Sequence, residues 1–598
     1  MNNKSYSLEQ GDSERPATGR PVVYGKKGAI SSGHYLTSMV GMQILLQGGN
    51  AFDALAASIF AAAVIEPTAS YSLGAECAYT FFNSTSQEFL ALSGQGPSPF
   101  GAEIEYYRSK QFRSIPTGPG LEAPIAFTVP GVVGATFSLL EKYGTRNVED
   151  VLMPAIEYAL DGFPNYEYML NRLRSEETLQ QFELFPPGGI EIFFDHGEVP
   201  EPGTLLIQTA LGNTLNKMLS AAKSFGTDRV TEIAAARQCF YKGEIADAIV
   251  ADVRSVGGLM DENDLSAYEE EYSTPVSVEY QGYVIHGQST WTQGPVCLQA
   301  LNILENFDLP SLGYNSTQYI HIVTEALKLA FADREAFYGD PKVASVPIDG
   351  LLSKEYAAQR AKQINLETAC PGLPPFGDPW SYSKLEGSVS NQPDYSDDFQ
   401  ADMQYEAGTT HISVVDQFGN FACATPSGGA FNKSVFFPDL GFALSTRSEM
   451  FNLVPGHPNC LEPGKRPRTT IMNFIVSKNS VPIMTVGCPG GDAQAQANLQ
   501  LILNTILWDM NVQEAVEAPR FATLSVPNSF YPHTYLQGQL ALENEVAEVT
   551  ANGLTQMGHK TVRVGTCGMG GTITRKKSGS RTLETGADPR RSCYALAW

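Results

Sequence analysis

The stretch Gly408-Thr409-Thr410-His411-Ile412-Ser413-Val414-Val415-Asp416 places a hydroxyl at the mouth of a compact strand signal. Ile412, Val414 and Val415, a turn at Asp416-Gln417-Phe418-Gly419-Asn420, and then Phe421 to Thr425 read as a β-hairpin. Ahead of it, residues 369–408 are rich in Pro, Gly, Ser and Asp and show no apolar period, which predicts a long mobile loop. A tether therefore feeds a buried hairpin through Gly-Thr-Thr. A hydroxyl there, behind a Gly that leaves its carbonyl open, can attack that carbonyl and shift the peptide bond to an ester. Hydrolysis then frees Thr409 as a new N-terminus, whose α-amine, with an ordinary pKa of roughly 7.7 to 8, serves as base for its own hydroxyl. The plain alternative is a polar-edged strand start, and a tetrapeptide alone does not decide between them.

Two other stretches carry chemistry. Cys488-Pro489-Gly490-Gly491-Asp492 lies between the apolar run Pro482–Val486 and a helix expected from Ala495 to Leu507. Two glycines at a strand-to-helix turn present backbone N–H groups with nothing in the way, an arrangement suited to a tetrahedral oxyanion. Lys465-Arg466-Pro467-Arg468-Thr469-Thr470 supplies three cations and two hydroxyls. It reads either as a solvated loop or, in an acidic chain, as a hold on a substrate carboxylate. His411 beside the nucleophile reads as a packed strand residue before a catalytic one.

The elements that must position these groups follow from periodicity and caps. Tyr35 to Gln47 is a helix ending at Gly48-Gly49. Asn50 caps a second helix, with Asp53 at its third position and Pro67 past its end. Residues 75–82 and 89–92 form a hairpin around a polar turn; helices follow Pro130-Gly131 and cover 148–160, and 317–338 reads as strongly amphipathic. After residue 408 strands dominate, at 410–425, 441–445, 471–477 and 482–487.

Composition narrows the function classes. The 598 residues are 43% hydrophobic and 17% charged, as expected for a well-buried globular protein. A net charge of -24 argues against nucleic acid as partner. The apolar run Ala54–Ile65 falls short of the roughly 20 residues of a membrane span, so it is expected in the core. The first twenty residues are polar without an apolar run, which points to the cytoplasm. Nine scattered cysteines without a C-x-x-C pair indicate neither zinc nor a disulfide framework, and no metal or cofactor is expected. G-x-S-x-G, Walker A and H-E-x-x-H motifs are missing.

Taken together, several stretches resemble the γ-glutamyltranspeptidase family of N-terminal nucleophile hydrolases. Gly48-Gly49-Asn50-Ala51-Phe52-Asp53-Ala54 looks like its G-G-N-A-x-D-A motif, and Thr409-Thr410-His411 with Ser413-Val414-Val415-Asp416 looks like T-T-H-x-S-V-V-D. Lys465-Arg466-Pro467, Pro489-Gly490-Gly491 and Asp588-Pro589-Arg590 also fit, in one order along nearly the whole chain. The resemblance implies an α+β fold, a four-layer αββα sandwich, cut between Gly408 and Thr409 into a large subunit (1–408) and a small one (409–598) that stay together. It implies Thr409 as nucleophile, Ser427 as its supporting hydroxyl, Gly490 and Gly491 as oxyanion hole, and Thr469 and Thr470 as substrate-binding hydroxyls. The chemistry would be acyl transfer from a small-molecule acyl amide or peptide through a threonyl ester.

The departures concern substrate. Where glutamate-binding members carry an Arg in an R-E-x-A-P-like motif, this chain has Gly94-Gln95-Gly96-Pro97-Ser98-Pro99. Gly429 replaces an Asn, and the acidic pair that receives an α-amino group looks like Glu449-Met450. Arg447 or Arg468 then becomes the candidate cation for a substrate carboxylate, which would suit a dicarboxylic acyl group lacking the amine or a modified glutathione adduct. The expected function is a self-processing amide hydrolase or acyltransferase on γ-glutamyl or related acyl amides. The alternatives are a glutaryl-type acylase and, in another class, a non-catalytic binding or scaffold protein on the same fold.

Overall fold

The computed structural model describes residues 18–598 apart from 390, 394–407, 429–430, 569 and 578. Gly429 and the part of the tether at 390 and 394–407 thus lie outside the described residues.

Two seven-stranded antiparallel sheets form the centre. One runs, strand by strand, Tyr594–Ala597, Ala29–Ser32, Ile412–Val415, Phe421–Ser427, Glu76–Asn83, Glu88–Ser93, Glu271–Ser273. The other runs Val23–Gly25, Leu583–Ala587, Thr572–Lys576, Val481–Gly487, Phe474–Lys478, Tyr283–Gly287, Val276–Tyr280. Both contain strands from before and after residue 408, so a cut there leaves two pieces sharing both central sheets.

The layers follow from where the apolar residues point. The helix Ala51–Ile65 begins with the expected capping box, Asn50 and Asp53 each bonding the other's backbone N–H, and is buried along its whole length against the first sheet. Burying side chains such as Leu55, Ile59 and Phe60 stabilises by about 1.5–3 kcal/mol each. Helices Val132–Tyr143 and Val148–Leu160 complete that side. On the other side Gly294–Leu304 and Ala493–Ile506 cover the second sheet and Thr317–Phe337 packs against Gly294–Leu304, in a separate apolar core. The result is a four-layer αββα sandwich.

Between the sheets an apolar patch of Phe82, Val415, Phe421, Ile475 and Leu583 adjoins a layer of buried hydroxyls and amides. Ser31 Oγ meets Thr574 Oγ1 at 3.3 Å, Thr425 Oγ1 donates to the Met472 carbonyl at 2.9 Å, and Asn473 Nδ2 donates to Thr425 Oγ1 at 3.0 Å. Strands facing an apolar helix layer on one side and this hydroxyl layer on the other explain why the chain after 408 mixes Thr, Ser and Cys into its strands.

One expectation needs correcting. Thr317–Phe337 forms a helix but is buried on nearly all sides rather than amphipathic at a surface. Its polar residues are instead paired internally: Lys328 with Glu325 at 2.8 Å, Asp333 with Tyr356 Oη at 2.8 Å and with Arg360 at 3.2 Å. Among the described residues no helix is long and apolar enough to cross a membrane.

Candidate active site

The hairpin register places the central pair. Ile412 lies across from Ala424, and the Thr410 N–H donates to the Pro426 carbonyl at 3.1 Å, so Thr409 falls opposite Ser427. Their hydroxyls are 3.0 Å apart in a buried position. Arg447, fully buried in a short turn, donates through Nη2 to Ser427 Oγ at 2.6 Å, through Nε to Glu76, and through Nη1 to Thr470 Oγ1 at 3.4 Å. With one lone pair of Ser427 Oγ taken by a guanidinium, its proton can turn toward Thr409 Oγ1. Burial pushes the Glu76 carboxyl above the usual carboxylate range, and the Arg447 charge works against that rise.

The backbone of Thr409 is held on both sides. Its N–H donates to the Ala69 carbonyl, and its own carbonyl accepts from Arg591 Nη1 at 2.5 Å. Its φ is +86°, a conformation a β-branched residue adopts only when its surroundings enforce it. The strain sits on the residue that follows the expected cleavage point. Arg591 in turn lies over the Tyr168 ring, 4.7 Å from its centroid, and its charge bears on buried Glu66, whose carboxyl burial pushes up.

The Gly490-Gly491 turn links strand Val481–Gly487 to helix Ala493–Ile506 with φ values of +128° and +54°, open to glycine and strained for other residues. Among the described residues neither amide has an acceptor. Gln293 ties this turn to the hydroxyl pair, its Nε2 donating to the Gly491 carbonyl at 2.9 Å and to the Thr470 carbonyl at 3.2 Å. Phe530, against which a side chain on Gly491 would press, lies beneath Arg447 at 5.3 Å. Thr469 Oγ1 is buried with no partner among the described residues.

Arg468 sits apart from the Thr409 pair. It donates to Glu335 at 2.8 Å and to Ser529 Oγ at 3.3 Å, and lines a cavity of about 140 Å³ with Arg113, Arg334, Tyr338, Met450 and His533. Glu449 is also occupied: its carboxylate accepts from Lys433 Nζ at 3.3 Å and from the Tyr531 N–H at 3.0 Å. His411 is buried between Thr425 Oγ1 at 2.8 Å and Ser413 Oγ at 2.9 Å, and burial lowers its pKa to about 3. It stays neutral and packs the strand.

One group has metal-ligand atoms close together among the described residues: His321, Glu325 and His559, within 4.8 Å of one another. Each already has a partner, His321 Nδ1 with His559 Nε2 at 2.9 Å, His321 Nε2 with the Asn365 carbonyl at 2.7 Å, and Glu325 with Lys328. The Lys328 ammonium would repel a cation there, so the group is a closed hydrogen-bond network.

Comparison with known proteins sets this geometry in a lineage. Residues 37–598 match the Gamma-glutamyltranspeptidase family. The chain belongs to that family. It is 31% identical to the glutathione hydrolase proenzyme of Bacillus subtilis (strain 168), over 90% of this chain and 86% of that one. It is also 31% identical to the acylase ACY 1 proenzyme of Pseudomonas sp. (strain SE83), over 90% and 88%. The crystal structure of cephalosporin acylase from Bacillus halodurans superposes with a TM-score of 0.82 at 28% identity, covering 99% of each chain.

Within this γ-glutamyltranspeptidase family member, sequence reasoning missed Glu76, Gln293, Phe530 and Arg591. Glu76 left a usable signal, a carboxylate in an otherwise apolar strand, which a buried sheet accepts only with a partner. Arg591 left none, since the motif resemblance stops at Arg590.

Proposed function

We propose that this chain is a proenzyme that cuts its own Gly408–Thr409 bond and then cleaves γ-glutamyl or related acyl amides through an ester on Thr409. The observation that carries this reading is the buried contact of Thr409 Oγ1 with Ser427 Oγ, 3.0 Å, backed by Arg447. The Thr409 amine accepts the hydroxyl proton as Oγ1 attacks the substrate carbonyl. The Gly490 and Gly491 amides, without acceptors among the described residues, suit the oxyanion. The amine product leaves, and water or another amine resolves the ester. Thr469 and Thr470 serve the substrate, and the two fragments stay joined through both sheets.

Denaturing electrophoresis tests it. Two fragments of 408 and 190 residues (598 − 408 = 190) are expected, and a single chain for Thr409→Ala. An intact wild-type chain without amidase turnover would leave only the scaffold reading.

A second reading, a glutaryl-type acylase, is favoured by Lys433. Its ammonium already occupies Glu449, where a γ-glutamyl α-ammonium would bind by the family's pattern. An acyl chain with a distal carboxylate and no amine makes no demand on Glu449, and Arg468, which lines its cavity while paired with Glu335, is the candidate cation. Mass spectrometry of the small fragment after brief exposure to γ-glutamyl and glutaryl amides shows which acyl group is retained.

A further inference from the structure

The reading of self-cleavage leaves one neighbour of the scissile bond without a task. A β-carbon on Gly408 would lie 2.5 Å from Ser70 Oγ and 2.8 Å from Ser70 Cβ, so the serine hydroxyl touches the residue whose carbonyl is attacked. Ser70 is nearly buried, and its Oγ has no hydrogen-bond partner among the described residues. Its backbone is left-handed, φ 54° and ψ 43°, where glycine or asparagine is the ordinary occupant. A serine held there against its preference asks for a reason in its side chain.

The turn that carries Ser70 is clamped onto both strands of the nucleophile hairpin. The Ala69 carbonyl takes the Thr409 N–H, the amide of the bond to be broken, and the Ser70 carbonyl takes the Gly428 N–H just past Ser427. On the opposite side Arg591 holds the Thr409 carbonyl at 2.5 Å. The scissile peptide is thus fixed on its departing side by Ala69 and Arg591, and the Ser70 hydroxyl lies beside the Gly408 α-carbon, next to the carbonyl group that is attacked.

We propose that Ser70 is a catalytic residue of self-cleavage, its hydroxyl donating a hydrogen bond to the Gly408 carbonyl oxygen as that oxygen becomes an oxyanion. Thr409 Oγ1 bonds to the Gly408 carbonyl carbon and the carbonyl π pair moves to oxygen, where Ser70 Oγ–H meets it. The carbon–nitrogen bond then breaks, and the proton lost by Oγ1 ends on the Thr409 nitrogen. The ester so formed is hydrolysed by water, giving the Gly408 carboxylate and restoring the Thr409 hydroxyl. Ser70 keeps its proton throughout. Glycines 490 and 491 then serve the acyl substrate, and Ser70 serves the one-time internal one.

This inference rests on self-cleavage at Gly408–Thr409, and its test separates the two. Ser70→Gly removes the hydroxyl while relieving the left-handed backbone, and Ser70→Ala removes it with the β-carbon kept. Cleavage is followed by denaturing electrophoresis after refolding the uncut chain, and melting is measured for each substitution in the Thr409→Ala background, where no chain is cut. Both variants are expected to lengthen the half-time of cleavage about 10²- to 10³-fold, as for loss of one oxyanion donor, with the uncut chains melting as before. Cleavage of Ser70→Gly within twofold of wild type would overturn the assignment. So would slow cleavage accompanied by a lowered melting temperature in both variants, since that places Ser70 in the scaffold. If wild type stays uncut, or Thr409→Ala is cut, self-cleavage by Thr409 itself fails, whatever Ser70 does.

Discussion

Arg447 Nη2 donates to Ser427 Oγ over 2.6 Å, and Ser427 Oγ stands 3.0 Å from Thr409 Oγ1, so a buried guanidinium is one hydroxyl away from the nucleophile. A positive charge relayed through a hydroxyl favours the Thr409 oxygen as it loses its proton, in a site where burial strengthens every such interaction. Ser427→Ala breaks this relay without touching Thr409. Turnover of the processed enzyme is expected to fall by about 10²-fold, with Ser427→Thr recovering most of it. Steady-state kinetics on an acyl anilide reads kcat; an unchanged value would remove Ser427 from the reaction.

Arg447 also answers for Glu76. Both are fully buried and paired, so removing one leaves the other charge stranded at a cost of about 3–5 kcal/mol. Arg447→Met in the uncuttable Thr409→Ala background is expected to lose stability by that order in a urea titration. Adding Glu76→Gln should recover most of the loss, because the pair is then replaced by two neutral groups. A double variant as unstable as the single one would mean that Arg447 acts on stability through Ser427 and Thr470 instead.

Much of this arrangement was legible before the coordinates. The hairpin that starts at Thr409 is written in the turn residues Asp416 to Asn420, Ser427 follows from the family resemblance and not from that register, and the helix Ala51–Ile65 announces itself by its cap and apolar run. What escaped were partners supplied by distant strands and helices. Glu76 reaches Arg447 across 371 positions and Gln293 reaches Gly491 across 198, and no local period encodes such meetings. The helix Thr317–Phe337 misled for a related reason. Its charged residues suggested a solvent face, yet they are paired, Lys328 with Glu325 on the same helix and Asp333 and Arg334 with Arg360 and Asp492 from other elements.

Stability should depend on pH through His411. Burial lowers its folded pKa to about 3, against an ordinary 6.5 in the unfolded chain. Below pH 6.5 the unfolded chain takes up a proton that the folded one refuses, so this share of stability is complete above pH 6.5 and is lost as pH falls toward 3. Between pH 7.5 and pH 5 the loss amounts to about 2 kcal/mol for this one group. His411→Asn should cost stability at both pH values but narrow the gap between them by that amount. Raised carboxyls such as Glu66 and Glu76 act in the opposite sense and cancel in the comparison of variant with wild type. Urea titrations at the two pH values, in the Thr409→Ala background, give the gap; an unaltered gap would place the protonated ring in a site that tolerates charge.

Substrate choice should turn on Lys433. Its ammonium lies 3.3 Å from the buried Glu449 carboxylate and also donates to the Tyr531 carbonyl, while Glu449 keeps a second hold on the Tyr531 N–H. Lys433→Met removes the internal cation and keeps the length of the stem, leaving a carboxylate that a substrate ammonium can neutralise. A γ-glutamyl anilide brings that ammonium; a glutaryl anilide of the same length does not. The ratio of kcat/KM for γ-glutamyl over glutaryl is therefore expected to rise about tenfold in Lys433→Met, the equivalent of about 1.4 kcal/mol of differential binding. The change should come through a gain on the γ-glutamyl substrate more than a loss on the other. A ratio that stays put would mean that the acyl head group binds away from Glu449, with the cavity around Arg468 the place to look.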